Sequence, residues 1–373
     1  MSVPLLVLLA ASAQAQALRC EAVFVSAAAA SAPAFDARAS WGRQLFEREL
    51  RSAGEFFART RRLDENQRMD ALMGENIRRV FYRLQGLADV YRAHHPEFFG
   101  AWRSQFKDVE DRLGRLALKR GLRDKARELG EDKLARIFSE EAEQAQAAAV
   151  NALKDSGWWS DSTGTLRQFR QSMAKESLWM DGVQDGRFLR GMLLHDGAKL
   201  RVRIRDLEYD RKDIEKGLHE LRRELRWLAI QTMNLDGLIR FQEDALSFGS
   251  RAWLQEMTRA NPEIYRNPYM KLSPPAIANP VLIPWRSFTM LNEIILQLGN
   301  LKDAAEMHIA FGEAMERAGF SRKKRKNVLK DLDRSLSVSV RDLDHRSLSR
   351  QFQRRLNDSD LLGGFLRQLE SMN

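Results

Sequence analysis

Ile77-Arg78-Arg79-Val80-Phe81-Tyr82-Arg83-Leu84 and Leu221-Arg222-Arg223-Glu224-Leu225-Arg226-Trp227-Leu228 are two copies of one pattern, apolar-Arg-Arg-x-apolar-x-x-Leu, 144 residues apart. Apolar positions at i, i+4 and i+7 mark one face of a helix with 3.6 residues per turn. Self-similarity at a fixed offset predicts a duplicated helical unit. Guanidinium groups stacked beside an apolar stripe predict a surface for a polyanion, because each guanidinium offers a planar fork of donors to phosphate oxygens.

Working outward from the first copy, Asp64 is a candidate N-cap for a long helix ending near His94, before Pro96. Met69, Leu72, Met73, Ile77, Val80, Phe81, Leu84, Leu87 and Tyr91 supply its apolar face. Ser40 is a candidate cap for an earlier helix carrying Leu45, Leu50, Phe56 and Phe57. Further helices are expected over Glu97–Lys119 and 131–153. The second Arg-Arg helix is expected within 206–246, and another from Trp285 to Gly299 or beyond. Leu200-Arg201-Val202-Arg203-Ile204-Arg205 alternates like a strand among strong helix formers, so both readings stand. Six of the nine prolines lie at 262, 268, 274, 275, 280 and 284, which predicts a non-helical insertion over 262–284. The expected fold class is all-α.

The chain has 373 residues, of which 44% are hydrophobic. Charges of both signs accompany that apolar content, which separates it from a disordered polyampholyte. The balance is 61 basic against 51 acidic residues, a net charge of +10, and arginine far outnumbers lysine. A GC-rich genome would favour arginine codons in the same way. One cysteine, Cys20, excludes an internal disulfide framework and cysteine-based zinc sites. The six histidines show no metal-site spacing.

The N-terminus reads as an export signal over residues 1–17. Pro4–Ala11 is apolar and too short to span a bilayer, and Ala13-Gln14-Ala15 and Ala15-Gln16-Ala17 fit small-x-small cleavage. No Lys or Arg precedes the apolar run, and Leu18-Arg19-Cys20 is a poor lipoprotein box. The expected location is the periplasm or the exterior. An Ala/Ser-rich linker follows over 18–39, then a helical body over 40–315 with halves at about 60–155 and 206–315, then a basic extension over 316–373. No other segment is apolar enough to predict a membrane span.

On a helical wheel Leu218, Leu221, Leu225 and Leu228 form one stripe and His219, Arg222, Arg223 and Arg226 the adjoining one. Glu220 and Glu224 fall on the far side of the leucines. A phosphate chain laid on such a flank meets forked donors about one helical turn apart. The alternative is a solvated face whose arginines pair with Glu at i±4, each pair worth about 0.2–0.5 kcal/mol.

Leu218-His219-x-Leu221-Arg222-x-x-Leu225-Arg226-x-Leu228 resembles the signature of the CHAD family, the conserved histidine α-helical domains, in which a His is followed by basic residues at i+3 and i+7. Leu298-Gly299-Asn300-Leu301-Lys302-Asp303 resembles that family's Leu-Gly-x-x-x-Asp junction, and Leu113-Gly114-Arg115-Leu116 is its counterpart in the first half. The resemblance implies two pseudo-repeated helical bundles around a basic groove, binding inorganic polyphosphate without catalysis and without a cofactor. It covers roughly residues 60–315. Carried over residue by residue, it assigns phosphate contacts to His219, Arg222, Arg223 and Arg226, and by repetition to Arg78, Arg79 and Arg83. The first half departs from the pattern with Glu75 in the histidine position, Tyr82 in place of the second cation, and Ala117-Leu118 where an acid is expected. In the second half Ala229 takes a position that is often Arg.

Arg322-Lys323-Lys324-Arg325-Lys326 is a further cation cluster, readable as a polyanion or membrane-surface patch or as a solvated helix start. Enzyme motifs are missing: neither Gly-x-x-x-x-Gly-Lys-Ser/Thr nor Gly-x-Ser-x-Gly occurs, the acidic run Asp206, Glu208, Asp210 and Asp213 reads as a helix N-terminal turn with charge that suits the dipole, and Glu140, Glu141 and Glu143 read as a solvated face. A periplasmic structural protein that binds a protein partner is the alternative function. Nucleic acid ranks third, because the aromatics beside the arginine stripes reduce to Tyr82 and Trp227.

Overall fold

A computed structural model describes residues 36–370, apart from 37, 76, 160–163, 212, 214, 267–274, 276, 278–279 and 337–343. The signal segment, most of the linker with Cys20, and Pro268 and Pro274 lie outside the described residues. Among the described residues there are thirteen α-helices and a single pair of short strands, so the protein is all-α. The chain forms two compact units, residues 36–189 and 190–370 of the described chain, each with its own core.

The first unit opens with α1 (Trp41–Arg59), whose cap Ser40 accepts from the Arg43 amide at 3.2 Å. The long helix expected from Asp64 is broken in two, α2 (Glu65–Gly74) and α3 (Arg78–Tyr91). Asp64 does cap α2, in a capping box closed by Gln67. Gly74 ends α2 just before the Arg-Arg pattern begins, a position where a helix loses about 1 kcal/mol relative to Ala. The helix expected over Glu97–Lys119 runs further, as α4 (Pro96–Glu128), with Pro96 at its first turn, where a missing N–H costs nothing. It turns through Gly130 (φ 69°) into α5 (Asp132–Asp155). The Gly130 amide donates to Arg127 and the Glu131 amide to Ala126, the paired bonds of a Schellman ending. α6 (Thr165–Met173) and the first residues of α7 (Gly182–Arg205) complete the unit.

Its core is aromatic. The Phe46 ring lies 5.6 Å from Phe99 and Phe169, 5.9 Å from Trp179 and 6.1 Å from Tyr91, and Phe81 meets Trp158 edge-on at 4.9 Å. Beside it the buried Asp185 carboxylate accepts from Ser40 Oγ and the Gly42 amide, each at 2.8 Å, and from the Tyr91 hydroxyl. Burial holds the Asp185 pKa above its ordinary 3.8 despite those donors.

The second unit begins within α7, so Leu200–Arg205 is helical and the strand alternative is excluded. A π-helical turn, Glu215–His219, leads into α8 (Glu220–Asn234), the second Arg-Arg helix. Fifty residues (235–284) separate it from the next long helix. Within the proline-rich part, 262–284, the described residues hold no α-helix, only a 3-10 turn at Ile264–Arg266 and a strand, and the whole connection is wider. It contains β1 (Ile239–Gln242), α9 (Phe248–Ala260) and β2 (Val281–Pro284). The strands pair in parallel with Ile239 opposite Val281. They went unseen in the sequence because each is four residues long and neither alternates cleanly. α10 (Trp285–Arg317) follows, and its first amides are capped by Asp244, which accepts from Arg286 N at 2.7 Å and Ser287 N at 3.1 Å.

α10 turns through Gly319 (φ 70°) into α11 (Arg322–Ser335). Gly319 donates to Glu316 and Phe320 to Met315, which repeats the Schellman ending of α4. α12 (His345–Asp358) and α13 (Leu361–Glu370) close the unit. Arg346 and Arg350 of α12 both hold Asp210, whose carboxyl they draw down to about 2. This core is largely aliphatic, with Leu221, Leu225, Leu228, Leu291, Ile294 and Leu298 buried.

Candidate functional site

Apolar residues fix the two arginine helices in the same way. Ile77, Phe81 and Leu84 of α3 are buried, as are Leu221, Leu225 and Leu228 at the matching positions of α8. Each helix packs on a helix of 33 residues, α4 or α10, that carries the Leu-Gly pair. The side chain that meets the glycine is the first arginine of the pattern. A Cβ on Gly114 would fall 2.6 Å from Arg78 Nη2, and one on Gly299 would fall 3.0 Å from Arg222 Nε and 3.1 Å from its Nη2. At Gly114 the guanidinium would have to move to admit a side chain, whereas at Gly299 it would have to give by only a few tenths of an ångström. The duplicated unit is therefore an arginine of one helix laid over a glycine of its neighbour, made once in each half.

The surroundings of the cations differ. In the first half, Arg78 meets Glu110 Oε1 at 2.6 Å and the Tyr82 hydroxyl at 3.1 Å, with its guanidinium over the Tyr82 ring. Arg83, 16% exposed, donates to the buried Glu49 at 3.0 Å. Burial alone would raise the Glu49 pKa; Arg83 and Arg48 outweigh it and hold it below the ordinary 4.5. Arg79 is half-buried.

In the second half the carboxylates beside His219 and Arg223 come from the same helical run. His219 Nδ1 bonds to Glu215, four residues back, and Arg223, 59% exposed, meets Glu220 at 2.7 Å, three residues back. Glu220 thus stands beside the cations, not across the leucines as the wheel placed it, because residues three apart are neighbours on a helix. Glu224 does point elsewhere, to Arg203 and the Tyr209 hydroxyl. Arg222 and Arg226 are half-buried. Arg78, Arg79 and Arg83 belong to the first unit, and His219, Arg222, Arg223 and Arg226 to the second.

Sequence reasoning missed Glu49 and Glu110, the acids that pair with Arg83 and Arg78. Glu110 had a signal: it sits one helical turn before Gly114, on the face of α4 that meets Arg78. Glu49, 34 residues before its partner, had none.

Among the described residues no group of three or more His, Cys, Asp or Glu is placed to hold a metal ion, and no helix is long and apolar enough to cross a membrane. Comparison of the chain with protein-family models, with characterised proteins and with solved structures gives no match.

Proposed function

We propose that the chain is an exported, non-catalytic helical module that binds a phosphate polymer such as inorganic polyphosphate, and that α8 carries the contact. The observation that supports this reading is the kind of partner that His219 and Arg223 keep. His219 and Arg223 are matched by carboxylates of their own helical run, at i−4 and i−3. Such pairs are worth about 0.2–0.5 kcal/mol, so an incoming phosphate can displace them. The first-half cations are poorer candidates, because a buried acid from another helix holds Arg83 and a largely buried one holds Arg78. That pairing favours the second reading there, a structural role for α3 within a protein that binds a protein partner. The sequence of residues 1–17, read as an export signal, supports a periplasmic or secreted location.

Titration with long-chain polyphosphate tests the proposal. Binding should be saturable and should weaken steeply with salt, in proportion to the phosphates neutralised. The pair Arg223→Ala and Arg226→Ala should weaken it further. Unchanged affinity in that variant removes α8 from the site, and tighter binding of single-stranded DNA in competition replaces the phosphate polymer with nucleic acid.

A further inference from the structure

α11 begins against its own dipole. Its cap, Ser321, accepts from the Lys324 amide at 3.3 Å, and Arg322-Lys323-Lys324-Arg325-Lys326 follow, with no acid in the first turn. The N-terminus of a helix carries a partial positive charge that favours acids and disfavours cations. The matching helix of the first half shows the ordinary arrangement: α5 opens with Asp132, and the α4 helix before it ends with Lys125 and Arg127. Both hairpins close on the same glycine-centred turn, so the fold itself does not call for cations at the start of α11.

The cations continue along one face. Lys323, Lys326, Lys330 and Arg334 recur at i, i+3, i+7 and i+11, and all four are exposed. Val328, Leu332 and Leu336 lie on the opposite side of the helix and are buried. Asp333 anchors α11 to His308 of α10 at 3.1 Å, Arg325 lies 3.6 Å from Glu316, and Arg334 pairs with Asp331 at 3.0 Å. Among the described residues Arg322, Lys323, Lys326 and Lys330 have no ion-pair partner. From Lys323 to Arg334 the stripe rises about 16 Å.

Its composition departs from the rest of the chain. Lysine makes up only 15 of the 61 basic residues, yet four of those 15 fall between 323 and 330. Arginine's rigid fork suits a phosphate held in fixed geometry; lysine's hydrated ammonium on a flexible stem suits a layer of mobile charges. Clusters of four to eight such cations on an amphipathic helix are drawn to anionic headgroups. Since the apolar face of α11 is already buried against its own unit, the helix has charge, and no apolar stripe, to offer outward.

We infer that the outward lysine face of α11 is a docking surface for an anionic bilayer, contacted side-on and without insertion. It uses residues separate from those of α8 and goes beyond the polymer-binding reading.

Co-sedimentation of the full chain with lipid vesicles tests it. The chain should sediment with vesicles containing phosphatidylglycerol and stay in solution with pure phosphatidylcholine, and added salt should release it. Lys323→Glu, Lys326→Glu and Lys330→Glu together should lower the affinity at least tenfold. The triple Lys→Gln variant, which removes charge without adding repulsion, should show a smaller loss with helicity unchanged by circular dichroism. The α8 variant Arg223→Ala/Arg226→Ala should bind vesicles as the unmodified chain does. Equal binding to both vesicle types, or wild-type affinity in both triple variants, overturns the inference. So does a result in which the triple variants lose polyphosphate binding while the unmodified chain ignores vesicles; the stripe then belongs to the polymer.

Discussion

In the first half Arg78 lies over Gly114 and ends on Glu110; in the second Arg222 lies over Gly299, and Ile295 stands where Glu110 does. The joint between helices is kept, together with the apolar positions beneath it and the Schellman turn beyond it. What has changed is the source of negative charge. The first half draws acids from other helices, Glu49 and Glu110, into a poorly hydrated setting; the second sets Glu215 and Glu220 beside its cations on the surface. A repeat can thus hold its geometry while the acids that pair with its cations come from other helices in one copy and from the same helical run, for His219 and Arg223, in the other.

The cores differ as well, and the largest expected effects lie there. Phe46→Ala removes a ring that faces four others and should cost about 3–5 kcal/mol; Leu225→Ala, in the aliphatic core, should cost about 2–5 kcal/mol. Urea unfolding of both variants should place Phe46→Ala as the more damaging, and the reverse order would deny the first core its aromatic advantage.

Replacing an acid is the next test. Glu49→Gln leaves Arg83 without its charge partner and should cost about 2 kcal/mol at neutral pH. Because the folded Glu49 pKa lies below 4.5, its contribution is present above pH 4.5 and is lost as pH falls through the depressed value. The difference between the unmodified chain and Glu49→Gln should therefore shrink on acidification, and a constant gap would show that Glu49 acts by packing alone.

The smallest effect separates the two joints directly. Alanine gains about 1 kcal/mol over glycine inside a helix. At Gly299 the new Cβ has 3.0 Å to Arg222 Nε, so Gly299→Ala should be close to neutral; at Gly114 it has only 2.6 Å to Arg78 Nη2, and the guanidinium must leave Glu110. Gly114→Ala should be the less stable of the two by about 1 kcal/mol, the scale of a charged hydrogen bond strained or lost. Equal stabilities would mean that the two contacts are alike.

Much of this was legible in the residues. The Arg-Arg pattern located both helices, and Ser40 and Asp64 are the caps they were read to be, because capping is a local property of one side chain and three amides. The Leu-Gly pairs were recognisable too, although their role as the bed of an arginine needs two helices in contact. The strands β1 and β2 and the ion pair to Glu49 were not legible. The ion pair depends on a partner 34 residues distant, the strands are elements too short to show a period, whereas Gly74 before the Arg-Arg pattern and Glu110 one turn before Gly114 offered local signals that went unread.

The connection between the two helices of the joint is four residues long in one half (92–95) and fifty in the other (235–284), yet arginine meets glycine in both. Loop closure becomes costlier only with the logarithm of length, so such an interruption adds little penalty. The chain can accordingly be lengthened at that point while the helices it joins stay docked, provided that Asp244, which caps α10, and the buried residues of the segment are kept.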